Sequence, residues 1–173
     1  TSKHIFGPLI KVVDDAGDSL FEKILVPLDR SEHSRRALDV AIQIAKKFGG
    51  RITLIHVYSV VVTPFVMPEP STLTPGVPIM PEAYVSKLAE AAREAGSRIL
   101  AGGKQRVKAE KVEVDAMLRE GHVVQEIIRV SKEGNFDLIV MGARGVSRIR
   151  EMLLGSVTDG VMHHVRCPVL VVR

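Results

Sequence analysis

Three glycines and a serine carry the most specific chemistry in the chain. From Asp137 to Val161 the sequence reads DLIVMGARGVSRIREMLLGSVTDGV, with Gly142, Gly145, Gly155 and Ser156 spaced as G-x-x-G, nine residues, G-S. An apolar run, Leu138 to Met141, precedes the first glycine, and a segment that can be helical follows the last. Strand, glycine-punctuated loop and helix start together suit anion binding. Glycine lets backbone N–H groups turn inward and lets a ligand approach, because no Cβ stands in the way. A helix N-terminus adds unpaired N–H groups and the positive end of its dipole. Ser156, at or beside the N-cap, adds a hydroxyl donor. A phosphate chain would satisfy these donors together. An ordinary strand-to-helix loop with glycines for tight turns has the same spacing.

Asp29 is the second feature. It stands at the carboxyl end of an almost continuous apolar run from Phe21 to Leu28. In open α/β sheets ligands bind outside the carboxyl ends of strands, where the strand order reverses. A carboxylate there can accept from ribose hydroxyls; it can equally help to start the next helix.

The elements that must position these residues alternate along the chain. Strands are predicted at Phe21 to Leu28, Arg51 to Tyr58, Lys111 to Leu118 (with Val112, Val114 and Ala116 on one face), Leu138 to Met141 and Val169 to Val172. Ser31 is an N-cap candidate for a helix carrying Ala37, Ala41, Ile44, Ala45 and Phe48 at helical spacing, ended by Gly49-Gly50. A second helix should start at Pro81 and carry Tyr84, Leu88, Ala91, Ala92, Ala95, Ile99 and Leu100, with Gly102-Gly103 breaking or kinking it. Glu120-Gly121 reads as a turn, Val123 to Lys132 as a short helix ended by Gly134, and Ser156 to Val165 as the last helix. The order βαβαβαβαβ means a parallel sheet with helices on both faces, joined by right-handed crossovers. Residues 1–20 read as an N-terminal extension to a domain spanning 21–173. The stretch from Val60 to Pro81 is a proline-rich insertion too irregular for a regular element. It leaves the carboxyl end of the second strand, as a nucleotide lid, a surface flap or a dimer contact.

Gly142, Gly145, Gly155 and Ser156 resemble the ATP-binding signature of the universal stress protein family. The resemblance extends to Ile24-Leu25-Val26-Pro27-Leu28-Asp29, to Leu54-Ile55-His56-Val57 and to Cys167-Pro168-Val169-Leu170-Val171-Val172. It covers roughly Phe21 to Arg173, and the extension before it departs from the family's pattern. The resemblance implies a single open parallel five-stranded sheet of order 3-2-1-4-5, Rossmann-like and of the adenine nucleotide alpha hydrolase-like type. That order would put Asp29 beside Gly142.

Carried over residue by residue, Asp29, with Pro27 and Leu28 before it, would meet the ribose or adenine side, and the Val57 backbone would hydrogen-bond the adenine. Gly142, Gly145, Gly155 and Ser156 would hold the ribose and phosphates, while Met141, Arg144, Val157 and Thr158 line the pocket. The implied ligand is ATP, or ADP or AMP, with Mg²⁺ arriving on the nucleotide. The implied protein is a cytoplasmic stress-response regulator, a homodimer through Val169 to Val172, with nucleotide as a conformational ligand. An ATP hydrolase or phosphotransfer protein is the enzymatic alternative. The sequence has neither the G-x-x-x-x-G-K-[ST] loop nor the kinase signature set. A nucleotide-free interaction module is the third reading. Against it, a protein that binds no nucleotide would not need three positions without Cβ.

Composition bounds the remaining classes. The chain has 173 residues, 46% of them apolar, no tryptophan and a formal net charge of +4, so its core should be aliphatic. No apolar run approaches the ~18 residues of a membrane span, and no basic region followed by an apolar stretch marks a secretory signal. Lys104, Arg106, Lys108 and Lys111 cluster without interleaved aromatics, which reads as a solvated helix end rather than a nucleic-acid surface. Arg144, Arg148 and Arg150, in or near the glycine loop, could meet phosphates or lie in solvent. The single cysteine, Cys167, excludes an intramolecular disulfide and should pack as a small apolar group. His56 reads as a packed core histidine. His163 and His164 are adjacent and so do not chelate together.

Overall fold

The computed structural model describes residues 21–60, 82–145 and 154–173. Along them run β1 (Lys23–Pro27), α1 (Glu32–Phe48), β2 (Arg51–Tyr58), α2 (Glu82–Ala109), β3 (Val114–Glu120), α3 (Val123–Glu133), β4 (Leu138–Gly142), α4 (Ser156–Met162) and β5 (Val169–Val172). The five strands form one sheet of order β3-β2-β1-β4-β5, with every pairing parallel. The order implied by the resemblance is the order found. Among the described residues no helix is long and apolar enough to cross a membrane.

The continuous apolar runs have a simple cause. β1 and β4 are covered on both faces, so successive side chains alternate between two cores. Ile24, Val26, Ile52, Leu54, Leu138 and Val140 face α1 and α2, where Ala37, Leu38, Ala41, Leu100 and Val107 meet them. Leu25, Ile55, Ile139 and Met141 face α3 and α4, against Ile127, Val130 and Val161. In α1, Ser31 caps the start, its hydroxyl accepting from the Ser34 N–H at 3.1 Å. Gly49, at φ 72°, ends the helix in the left-handed conformation that glycine adopts without strain.

Several boundaries differ from the sequence reading. Phe21 has a φ of 67°, so the first strand starts at Lys23. Lys111 also has a positive φ, and β3 begins at Val114 and runs through Glu120, which leaves the turn to Gly121. Val112 is buried ahead of that strand, while Ala116 is exposed because β3 is an edge. α4 stops at Met162, and the His164 N–H then closes a tighter turn onto the Val161 carbonyl at 3.0 Å. Residues 1–20, the insertion from 61 to 81, and Arg148 and Arg150 lie outside the described residues.

Gly102-Gly103 neither breaks nor kinks the second helix into two elements; α2 runs through both. Packing overrides propensity here. Gly103 is buried, and a Cβ on it would lie 2.6 Å from Leu28 Cδ1 and 3.0 Å from Leu54 Cδ1, so its bareness lets α2 lie close on the sheet. A Cβ on Gly102 would meet nothing within 4 Å. Gly102→Ala should therefore stabilise the fold by about 0.5–1 kcal/mol through helix propensity alone. Gly103→Ala should destabilise it by about 1 kcal/mol through overpacking. Urea unfolding of the two single variants reads both signs.

Candidate functional site

β1 and β4 are neighbours, but their chains leave in opposite directions. After β1 the chain enters α1 on one face; after β4 it reaches α4 on the other. The two turns diverge to opposite faces at the carboxyl edge, and the crevice defined by such a switch is the position at which α/β sheets take ligands.

The β1 turn is held by its own polar side chains. The Ser31 N–H donates to Asp29 Oδ1 at 2.8 Å, an Asx turn that fixes the carboxylate. The Asp29 N–H approaches Ser34 Oγ at 3.3 Å, and that hydroxyl lies 3.0 Å from the Asp29 carbonyl. The Ser31 hydroxyl also donates across the crevice to the Arg144 carbonyl at 3.4 Å, tying the β1 turn to the β4 loop. On the other side, the Thr158 hydroxyl donates to the Gly142 carbonyl at 2.8 Å and the Gly155 N–H to the Ala143 carbonyl at 2.8 Å. These bonds strap the start of α4 to the end of β4.

The glycines stand there for different reasons. A Cβ on Gly142 would lie 2.7 Å from the His33 carbonyl carbon and 2.9 Å from the Ser34 nitrogen, so Gly142 admits the N-terminus of α1. A Cβ on Gly155 would lie 3.3 Å from the Ala143 oxygen and from the Arg144 Cα, so it serves the tight loop. Gly145 is exposed, and among the described residues its Cβ would meet one group, Asp29 Oδ2, at 2.9 Å. The need for bare backbone that the sequence assigns to a ligand is thus met at Gly142 by helix packing.

The remaining candidates divide between crevice and core. The Leu28 N–H donates to the Ile55 carbonyl at 2.8 Å, one residue past the last β1–β2 pair, Pro27 with Ile55. Residues two apart in a strand point their backbone groups to the same side. Val57 therefore presents its N–H and carbonyl on the β1 side, beyond the end of β1. Pro27 is half-buried, and the Leu28 side chain is in the core. Met141 and Thr158 are buried, Val157 packs against the α3–α4 core, and Arg144 is half-exposed. Ser156 is exposed as the first residue of α4, with Gly155 at the cap. Ser31 as a bridge, and Ser34, are missing from the sequence reading of the site; the Ser31-x-x-Ser34 spacing after Asp29 is the signal that could have found them.

Cys167 lies away from this crevice. It is half-buried, its sulfur is 3.7 Å from Ser131 Oγ, and burial pushes its thiol pKa up. A thiol that resists ionisation is a poor nucleophile. Native protein at pH 8 should therefore react with iodoacetamide more slowly than the urea-unfolded chain, as thiol titration would show. Gly142→Ala should cost about 1–3 kcal/mol of stability with no nucleotide present, because α1 must move; urea unfolding is the measurement.

The universal stress protein family model matches residues 20–173. Universal stress protein YxiE of Bacillus subtilis is 35% identical over 156 residues, which is 89% of this chain and all of that protein. The structure of universal stress protein UspA from Lactobacillus plantarum superposes with a TM-score of 0.73 at 24% identity, covering 90% of this chain and all of that one. A universal stress protein solved in complex with cAMP shares the fold at a TM-score of 0.62 and 24% identity, over 90% of this chain and 98% of that one. The match over the whole described domain and the likeness to YxiE lead to one conclusion: this chain belongs to the universal stress protein family.

Proposed function

We propose that this protein binds ATP, or ADP or AMP, at the crevice between the β1 and β4 turns, and that the nucleotide acts as a conformational ligand in a stress-response regulator of the cytoplasm. The observation that carries this reading is the meeting of Asp29 and Gly145. Ser31 occupies Oδ1, and Oδ2 stands against Gly145, where a Cβ would lie 2.9 Å from it. An acceptor held in that way suits the hydroxyls of a ribose. Val57, one strand away, supplies a backbone donor and acceptor of the kind an adenine edge needs. Gly155 and Ser156 would face the phosphates, with Arg144 beside them. A relative of the same fold holds cAMP, which supports an adenine nucleotide as the ligand class.

Mg²⁺ would come with the nucleotide, held by phosphate oxygens and water. The described residues gather no group of three His, Cys, Asp or Glu side chains that could hold it instead. Groups that bind ground state and transition state equally do not raise turnover. Asp29 and the loop backbone bind; no group is assigned to orient an attacking water. Slow hydrolysis is the most this reading allows.

Calorimetry should show ATP binding with Mg²⁺. Asp29→Ala should weaken it about 10- to 100-fold, the loss expected for hydrogen bonds to a charged group. Gly145→Val should abolish it, because the new side chain displaces the carboxylate as well as the ligand. No ATP binding by the unmodified protein at millimolar nucleotide would refute the reading. Phosphate release above about one per second would move the protein into the enzyme class.

The homodimer belongs to the same proposal. β5 is the outer strand beside β4, and Leu170 on it is 38% exposed. An apolar edge strand is an open template for a second copy. Light scattering should give twice the chain mass at tens of micromolar protein, and Val171→Pro should shift it toward the monomer by removing a strand N–H.

A further inference from the structure

Leu28 is where the parallel ladder between β1 and β2 stops. Its N–H still donates to the Ile55 carbonyl at 2.8 Å. In a continuing ladder the Leu28 carbonyl would accept from the Val57 N–H, the next donor on that side of β2. The structure gives the carbonyl a different partner: His56 Nδ1, at 2.7 Å. A carbonyl only accepts, so Nδ1 carries the hydrogen. One imidazole thus ends the ladder, and it does so at the residue that precedes Asp29.

The ring is seated by helix α2. A Cβ on Gly96 would lie 2.6 Å from His56 Cδ2 and 2.6 Å from Leu118 Cδ1. Gly96 is buried in the middle of α2, where glycine is less favourable than alanine. What the helix gains in exchange is room for the imidazole. His56 and Gly96 form one fitted contact that reaches from α2 to the β1 turn.

We propose that His56 is a positioning residue for nucleotide binding. By taking the Leu28 carbonyl it fixes the turn that carries Asp29, and it leaves the Val57 N–H facing the crevice for an acceptor on a purine base. This assignment rests on the nucleotide reading above. It adds a residue that touches no ligand, and it makes the seating of α2 a determinant of affinity.

The test is ATP calorimetry on the unmodified protein, His56→Leu, His56→Asn and Gly96→Ala, beside hydrogen exchange at the Ser31 amide of the ligand-free proteins. His56→Leu removes the donor and should raise the ATP Kd about tenfold and speed Ser31 exchange by a similar factor, the loss expected for one hydrogen bond. Asparagine places an N–H near the position of Nδ1, so His56→Asn should return both readings to within about threefold of the unmodified protein. Gly96→Ala pushes the ring aside without removing it, and should match His56→Leu; it serves also if His56→Leu fails to fold. Unchanged affinity and exchange in both His56→Leu and Gly96→Ala would overturn the assignment. So would weakened binding that asparagine fails to rescue, since that would mark a packing role alone. If the unmodified protein binds no ATP, the nucleotide reading falls and the role toward the base falls with it. Ser31 exchange then decides separately whether His56 holds the turn.

Discussion

A buried β1 with four residues between its end and the first residue of α1 is the constraint from which the rest follows. Ile24, Leu25 and Val26 are wholly excluded from water, and both edges of the strand are paired. The chain must then leave a dry sheet and start a helix within a few residues, with most of the turn's polar groups answered by its own side chains. Asp29, Ser31 and Ser34 do this through their own hydrogen bonds. The same bonds orient a carboxylate and leave one of its oxygens toward the glycine loop. Structural necessity and the proposed ligand recognition would be served here by one set of side chains, with the hydroxyl of Ser31 joining the turn to the backbone of Arg144.

How much of this was legible depended on whether the determining contact was local. The apolar runs at Ile24 to Val26 and Leu138 to Met141 report burial on both faces directly, and Ser31 and Gly49 announce the limits of α1. Gly102-Gly103 misled because propensity describes a helix in water, whereas Gly103 packs on Leu28 and Leu54. β3 was misplaced because it is an edge strand, where Asp115 and Ala116 are exposed and the inside–outside alternation is weak. The Ser31–Arg144 bond spans 113 positions and has no sequence signature. The strand order came only from likeness to a family, since alternation alone permits several orders.

The two faces of the sheet are unequal in what they transmit to the crevice. The α3–α4 face meets the glycine loop through Thr158 and the Gly142 carbonyl. The α1–α2 face reaches it through His56 and Leu28, and through the close approach of His33 to Gly142. The route through α2 pairs a small residue, Gly96, that admits the His56 ring with a carbonyl that the ring then satisfies.

The unequal reasons for the glycines bear on how such motifs should be interpreted across lineages. If the proposed nucleotide is the ligand, a descendant that abandoned it would still need Gly142, because the backbone of α1 passes within contact of it. Gly155 would be retained for the loop. Gly145, whose one close neighbour among the described residues is the carboxylate, would be released from selection and drift first. Counting intact glycines therefore overstates how many descendants still bind. The second glycine, read together with the aspartate, is the position whose loss would date the change.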